Sequence, residues 1–299
     1  MSRLALRLAW VAVRFGIIFA NVGRAVTPDG AEALGRIAEE NGFESLWTVE
    51  HVVVPAGYES PYPYSPTGRM PGPEESPIPD PLIWLTWVAA ATRTIRLATG
   101  ILILPQRTPA VLAKEVATLD VLSGGRVTLG VGVGWLEEEF TALGVPFEHR
   151  GSRTDEYIEA LRVLWNDPEP TYHGRFVDFE RAKSYPKPVQ PGGVPIAIGG
   201  HTPAAARRAG RLGDEFFPGV AGGDQLPALL EVMRAAAAEA GRDPDAIGVT
   251  AGGAMDVDGV KRMAEQGVSR VVVPNLGGGP ETWKSTLGAF NENVISKVG

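Results

Sequence analysis

Glu50 and His51 stand side by side where an apolar run, Ser45-Leu46-Trp47-Thr48-Val49, gives way to a proline-rich stretch. A carboxylate next to an imidazole is an ionisable couple able to exchange a proton near neutral pH, which is the chemistry of general acid–base catalysis. Two glycine-rich segments are candidates to bring a ligand to it. Gly199-Gly200-His201-Thr202 falls between an apolar run and a helix opened by Thr202-Pro203, so its amides and the helix dipole suit a phosphate. Gly130-x-Gly132-x-Gly134-Trp135 looks like a dinucleotide-binding turn, but its third glycine comes one residue too early for that fingerprint. Glycines packing a crowded strand end read equally well there. His201 is placed to touch a ligand, whereas His149 and His173 fall in connecting loops. No pair of histidines has the spacing or the carboxylate company of a metal site, and no metal is expected.

The elements that must position these residues repeat one unit, clearest from Ile95 to Trp135. Ile95–Leu104 is a nearly unbroken apolar run, suited to a strand buried on both faces. Pro109 opens a helix with Ala110, Ala113, Ala117 and Val121 as an apolar stripe, Ser123-Gly124-Gly125 ends it, and Arg126–Val133 is a second buried strand. The same reading gives strands at Phe15–Ala20, Ser45–Val49, Pro195–Ile198, Glu215–Phe217, Ile247–Ala251 and Arg270–Val273. Helices follow at Asp29–Asn41, Pro81–Ala91, Glu137–Leu143, Arg153–Trp165, from Pro203, and at Ala228–Ala240, Gly259–Gln266 and Glu281–Asn291. Strands alternating with helices in this way predict an α/β fold, a (β/α)8 TIM barrel with a long loop after strand 2 and an irregular insertion, with a hairpin at His173-Gly174-Arg175, before strand 5. Glu50-His51 then sits at the C-terminal end of a strand, where such barrels carry their chemistry. An open doubly wound sheet would place a dinucleotide fingerprint near the first strand, and none is there.

Val52–Pro79 holds eight prolines and the aromatics Tyr58, Tyr62 and Tyr64. A loop of this length beginning at the site is expected to be a substrate-gating lid, mobile when empty and ordered when the ligands are bound. Residues 1–13 are expected to be a flexible extension and 14–299 a single barrel domain; the opening MSRLALRLAWVA is interrupted by Arg7 and lacks the cleavage site of a signal peptide. The net charge of −7 argues against a nucleic-acid or acidic-lipid partner. An anionic ligand must instead be held by local amides and a few basic side chains. With no cysteine there is no disulfide, thiolate nucleophile or cysteine zinc site, and a reducing cytoplasm is the expected location. No segment approaches the ~20 apolar residues of a membrane span.

Taken in order, Trp47-x-x-Glu50-His51, Ala98-Thr99-Gly100-Ile101 with Pro109, Leu122-Ser123-Gly124-Gly125-Arg126, Gly130-Val131-Gly132-Val133-Gly134-Trp135 with Glu139-Phe140, Arg150-Gly151 with Arg153 and Glu156, and Pro195-Ile196-Ala197-Ile198-Gly199-Gly200 form a specific set. From about Phe15 to Val273 the chain resembles the bacterial luciferase-like flavin and deazaflavin monooxygenase family. Within it, the chain is most similar to oxidoreductases that use coenzyme F420, a 5-deazaflavin, although members that use FMN share these motifs. The resemblance implies that Gly100-Ile101 forms a bulge with a non-prolyl cis peptide under the cofactor ring. It also implies that Thr99, Gly100, Ile101, Gly132, Gly134, Trp135, Gly199, Gly200 and His201 bind the cofactor, Gly199-Gly200 at its phosphate. His51, with Glu50 beside it, would face the reacting ring and move the proton. Deazaflavin-dependent sugar-phosphate dehydrogenases of the family have a Trp where this chain has Pro55, and an acidic residue where it has Trp135, so a sugar phosphate is not the expected substrate. The resemblance implies hydride transfer between F420 and a small organic substrate. The alternatives are FMN-dependent monooxygenation using reduced FMN from a separate reductase, and a cofactor-binding protein without turnover. Members often form homodimers; Trp84 and Trp87, on one apolar helix, suit either core or interface.

Overall fold

The structure, a computed structural model, describes residues 13–219, 225–275 and 277–298. The expected N-terminal extension lies outside them apart from Val13, which is buried against the core. The barrel strands are β1 (Arg14–Ile18), β2 (Ser45–Thr48), β3 (Arg96–Thr99), β4 (Val127–Gly132), β5 (Ile196–Gly199), β6 (Glu215–Phe217), β7 (Gly248–Gly252) and β8 (Arg270–Pro274). Each pairs in parallel with the next, β3 closes on β4, and β8 returns to β1 with Val271 opposite Phe15. The (β/α)8 barrel expected from the alternation is therefore the fold. The helices are α1 (Pro28–Glu40), α2 (Pro81–Ala91), α3 (Pro109–Ser123), α4 (Glu137–Ala142), α5 (Arg150–Asn166), α6 (Pro203–Leu212), α7 (Leu226–Glu239), α8 (Val257–Glu265) and α9 (Pro280–Phe290). Thr27, Asp80 and Thr202 each precede a proline in the first turn, and each side chain accepts an orphan helix N–H.

Several expected elements shift for local reasons. The third strand is not continuous over Ile95–Leu104: pairing stops after Thr99 and resumes at Leu102–Ile103, with Leu102 opposite Val131. Between the two pieces the Gly100–Ile101 peptide is cis, as the resemblance implied. Helix α5 starts at Arg150 rather than Arg153, because His149 takes a left-handed conformation and its carbonyl accepts the Arg153 N–H at 2.8 Å. The buried face of α3 is Leu112, Ala113, Val116, Ala117 and Asp120, while Ala110 and Val121 are exposed. Asp120 earns its burial by accepting hydrogen bonds from the Val189 and Gln190 amides and the Gln190 side chain. The hairpin of the insertion pairs Tyr172–His173 with Asp178–Phe179.

Helix α2 is apolar on all sides, and its two tryptophans part company. Trp84 is buried and donates to the Ala25 carbonyl at 2.8 Å, whereas Trp87 is half exposed. Among the described residues no helix is long and apolar enough to cross a membrane.

Most of the core lies between strands and helices, but a second, smaller cluster fills the barrel itself: Ile18, Trp47, Ala98, Ala197, Phe217 and Val272, with Phe19 and Ile101 packed on it. At the N-terminal end of the strands Arg270 is buried beneath Trp47, its guanidinium 5.3 Å from the indole ring. It pairs with Glu44 at 2.9 Å, with Glu215, and with the Thr250 hydroxyl at 2.9 Å. This plug makes the N-terminal end of the barrel a floor on which the opposite, open end is built.

Candidate active site

Leaving β2, the chain stays extended, so consecutive side chains point to opposite sides, and Glu50 and His51 share no partner. Glu50 turns inward. It accepts the Ile103 N–H and binds Arg107, which also holds Asp80 at 2.8 Å. Burial pushes the Glu50 carboxyl above its ordinary range, and Arg107 and the Ile103 amide oppose that rise. What Glu50 holds is the far side of the Gly100–Ile101 break, pinning the chain where strand pairing resumes. His51 turns the other way, and its Nδ1 lies 3.0 Å from Glu139 Oε2. Glu139, fully buried at the start of α4, also accepts the Val52 and Val53 amides at 2.7 and 3.3 Å through Oε1. A carboxylate on Nδ1 fixes the tautomer in which that nitrogen carries the hydrogen, leaving Nε2 as the free base. Glu139 received no role in the sequence reading; its motif was visible, but its partnership with His51 spans 88 positions and exists only in the fold.

Two of the motif glycines, Gly132 and Gly199, are explained by one side chain. A Cβ on Gly132 would lie 2.6 Å from the Ile101 side chain, and one on Gly199 only 2.4 Å from it. A Cβ on Gly130 would lie 1.8 Å from the Thr99 carbonyl oxygen. Gly134, with positive φ, lies against Phe140 and Ile103. Gly132 and Gly199 therefore clear the space into which the bulge projects Ile101, and any ligand contact they make is through backbone atoms. Gly100 itself has Trp47 and Phe217 below it, each 3.1 Å from where a Cβ would stand. Thr99 is buried, with its hydroxyl donating to the Gly130 carbonyl at 2.6 Å. The result is a closely packed platform of Ile101, Trp47 and Phe217 at the C-terminal end of the strands.

Gly200 donates its N–H to the Phe217 carbonyl at 3.1 Å, which ties β5 to β6. That leaves the amides of His201, Thr202 and Ala204 at the N-terminus of α6, where the helix dipole favours an anion. The Gly199-Gly200 pair supplies the turn that leads into these amides.

The proline-rich segment lies across the mouth. Trp135, at the end of β4, meets His51 edge-on at 5.7 Å between ring centres, Tyr58 at 5.5 Å and Tyr62 at 5.2 Å. Tyr62 meets Tyr64 at 5.4 Å, and Tyr64 meets His201 at 4.8 Å. A strip of rings therefore runs from the imidazole at β2 to the turn after β5. Helix α4 holds the base of the segment, since Glu138 accepts the Glu59 and Ser60 amides at 2.7 and 3.0 Å. The Ser60 hydroxyl and these amides pull the Glu138 carboxyl down to about 2. Asn21 holds the far end, bonded to both the Val49 and Pro79 carbonyls at 2.9 and 3.1 Å. The sequence-expected site residues His51, Gly100, Ile101, Trp135, Gly199, Gly200 and His201 are brought together around the mouth; Glu50 and Thr99 support it from behind.

A cis bulge on the third strand, a histidine held by a carboxylate after the second, and a helix N-terminus after the fifth thus meet at one end of the barrel. The sequence profile described as luciferase-like monooxygenase matches residues 13–268, and the chain belongs to that family. It is similar to Rv0940c of Mycobacterium tuberculosis (strain ATCC 25618 / H37Rv), an uncharacterized protein, at 36% identity over 274 residues covering 89% of this chain and 94% of that one. It is also similar to the F420-dependent glucose-6-phosphate dehydrogenase of Kineococcus radiotolerans (strain ATCC BAA-149 / DSM 14245 / SRS30216). That identity is 34% over 184 residues, 60% of this chain and 49% of the dehydrogenase. Among solved structures, monooxygenase RslO1 from Streptomyces bottropensis shares the fold with a TM-score of 0.76 at 24% identity, covering 96% of this chain and 100% of that one.

Proposed function

We propose that this protein is an oxidoreductase that moves a hydride between coenzyme F420 and a small organic substrate, with His51 carrying the matching proton. The observation that carries the reading is the His51–Glu139 pair at the barrel mouth, beside a glycine-cleared platform. Bound there, the deazaflavin supplies a ring carbon that accepts or releases hydride. The protein supplies everything else. Ile101 and the Gly100 backbone support the ring, and the His201, Thr202 and Ala204 amides receive the phosphate. Glu139 keeps His51 Nδ1 protonated and neutralises positive charge on the imidazole, so Nε2 takes a proton from a substrate hydroxyl or gives one to a carbonyl. The ring strip and lid exclude water from the transfer. The similarity to an F420-dependent dehydrogenase supports this cofactor. A second reading, FMN-dependent monooxygenation with a separate reductase, is favoured by the family's description.

Titrating the purified protein with F420 and with FMN, followed by fluorescence, separates the two. Tight FMN binding without response to F420 would reverse their order. In the F420-loaded protein His51→Ala should keep cofactor affinity within a few-fold and lose ~10²-fold or more in turnover; unchanged turnover would remove His51 from the mechanism.

A further inference from the structure

Strand β2 loses its neighbour just before it delivers the site. The last residue of β1 in the ladder is Ile18, paired with Trp47; Phe19, with a φ of 59°, then turns β1 away, and the Ala20 N–H makes one more bond to the Trp47 carbonyl at 3.1 Å. Alternate residues of a parallel strand bond to the same neighbour, so the next groups facing that side belong to Val49. Asn21 meets both of them. Its Oδ1 accepts the Val49 N–H at 2.8 Å and its Nδ2 donates to the Val49 carbonyl at 2.9 Å, so a side-chain amide stands where a strand backbone would. The second Nδ2 hydrogen goes to the Pro79 carbonyl at 3.1 Å, and the residue is fully buried.

These bonds close a ring of contacts. Pro79 precedes Asp80, which caps α2 and takes Arg107 at 2.8 Å; Arg107 holds Glu50 at 3.1 Å through its Nε, and Glu50 follows Val49. The two stems of the 52–79 loop are therefore tied together twice, and His51 is the first residue beyond the ring. We propose that Asn21 is a positioning residue for His51: by completing the ladder at Val49 it fixes the direction in which the chain leaves β2, and with it the point from which the imidazole reaches Glu139. The role of His51 as proton carrier rests on the proposed function; its placement by Asn21 does not. An aspartate there would keep the acceptor and lose both donors, and a leucine would have neither.

The test needs no substrate. In protein labelled with 15N at histidine, His51 is assigned by the signals lost in His51→Ala, and its nitrogen shifts report which ring nitrogen carries the hydrogen. The unaltered protein should show one tautomer, with the hydrogen on Nδ1, and Asn21→Ala should bring the other to ~10% or more. Arg270→Met, a destabilising change at the opposite end of the barrel, should leave the His51 signals unmoved, which separates positioning from loss of stability. Hydrogen exchange in the unaltered protein gives a second reading that no folding defect can obscure: the Val49 amide should exchange as slowly as the Leu46 and Trp47 amides, at least ~10-fold more slowly than an unbonded amide. His51 signals in Asn21→Ala identical to the parent's, or a Val49 amide without protection, would overturn the proposal. If instead the signals change as expected but His51→Ala turns over F420 at the parent rate, the oxidoreductase role of His51 falls and its placement by Asn21 stands.

Discussion

The two ends of this barrel solve the problem of buried polarity in opposite ways. At the N-terminal end Arg270 meets Glu44, Glu215 and Thr250 with its donors. Arg126 gives its donors to Ser123, Ala89, Ile95 and Thr92. Asp120 is satisfied by Gln190 and Val189. At the C-terminal end Glu50 and Glu139 are matched as well, but the contacts above them are rings on rings, and the accounting does not close. Among the described residues, the buried side-chain atoms without a partner are on Gln106, Glu138 and His201, in the segments that follow β3, β4 and β5. A buried network with every member satisfied locks one arrangement, whereas an end with atoms still wanting partners is the end that gains most when a ligand arrives or the chain rearranges. Stability sits at the floor and adaptability at the mouth.

That contrast is open to attack, and the largest effect should come from the floor. Arg270→Met removes the buried cation shared by Glu44 and Glu215 and should cost ~3–5 kcal/mol, read as a fall in the urea midpoint at constant slope. A loss under ~1 kcal/mol would mean the network is not what holds that end. At the mouth the expected loss is in rate. Glu139→Gln keeps the volume and one acceptor but removes the charge that orients His51, so kcat should drop ~10²-fold with KM within a few-fold and the urea midpoint nearly unmoved. Glu139→Asp should recover part of the rate; equal defects in kcat and stability would make Glu139 a structural residue only.

The smallest effect concerns acid. Glu138 is pulled from 4.5 down to about 2, so its hold on the Glu59 and Ser60 amides is fully present above pH 4.5 and is lost as pH falls toward 2. Hydrogen exchange at the Glu59 and Ser60 amides, compared at pH 5 and pH 3, should show less protection at the lower pH beyond the intrinsic change of rate. Glu138→Gln should remove that extra loss; an identical loss in the variant would clear Glu138 of the role.

How far the sequence could be read differs along the same axis. Strand and helix positions were legible to within a few residues because the buried runs are nearly pure hydrocarbon, and caps such as Thr202-Pro203 announce themselves. The break in the third strand was not legible from periodicity, since Ile95–Leu104 reads as unbroken; only the family resemblance pointed to it. Adjacency misled at Glu50-His51, where an extended chain sends neighbours apart. Glu138 and Glu139 each hold backbone amides of the segment after β2, partners that no spacing in the sequence announces. Gly132 and Gly199 could not be assigned, because the Ile101 side chain that requires them to be glycine comes from another strand.

The attachment of the 52–79 loop to α4 sets where this barrel can be re-tailored. Four backbone donors, Val52, Val53, Glu59 and Ser60, end on Glu139 and Glu138, and the Glu137 amide answers with the Ser60 hydroxyl. A graft that keeps 51–60 and exchanges 61–79 for a foreign segment retains every one of those bonds and the orientation of His51 with them. A graft joined directly after His51 discards them all, so the boundary between the interchangeable part of this protein and its fixed machinery falls at Ser60, not at the end of the strand.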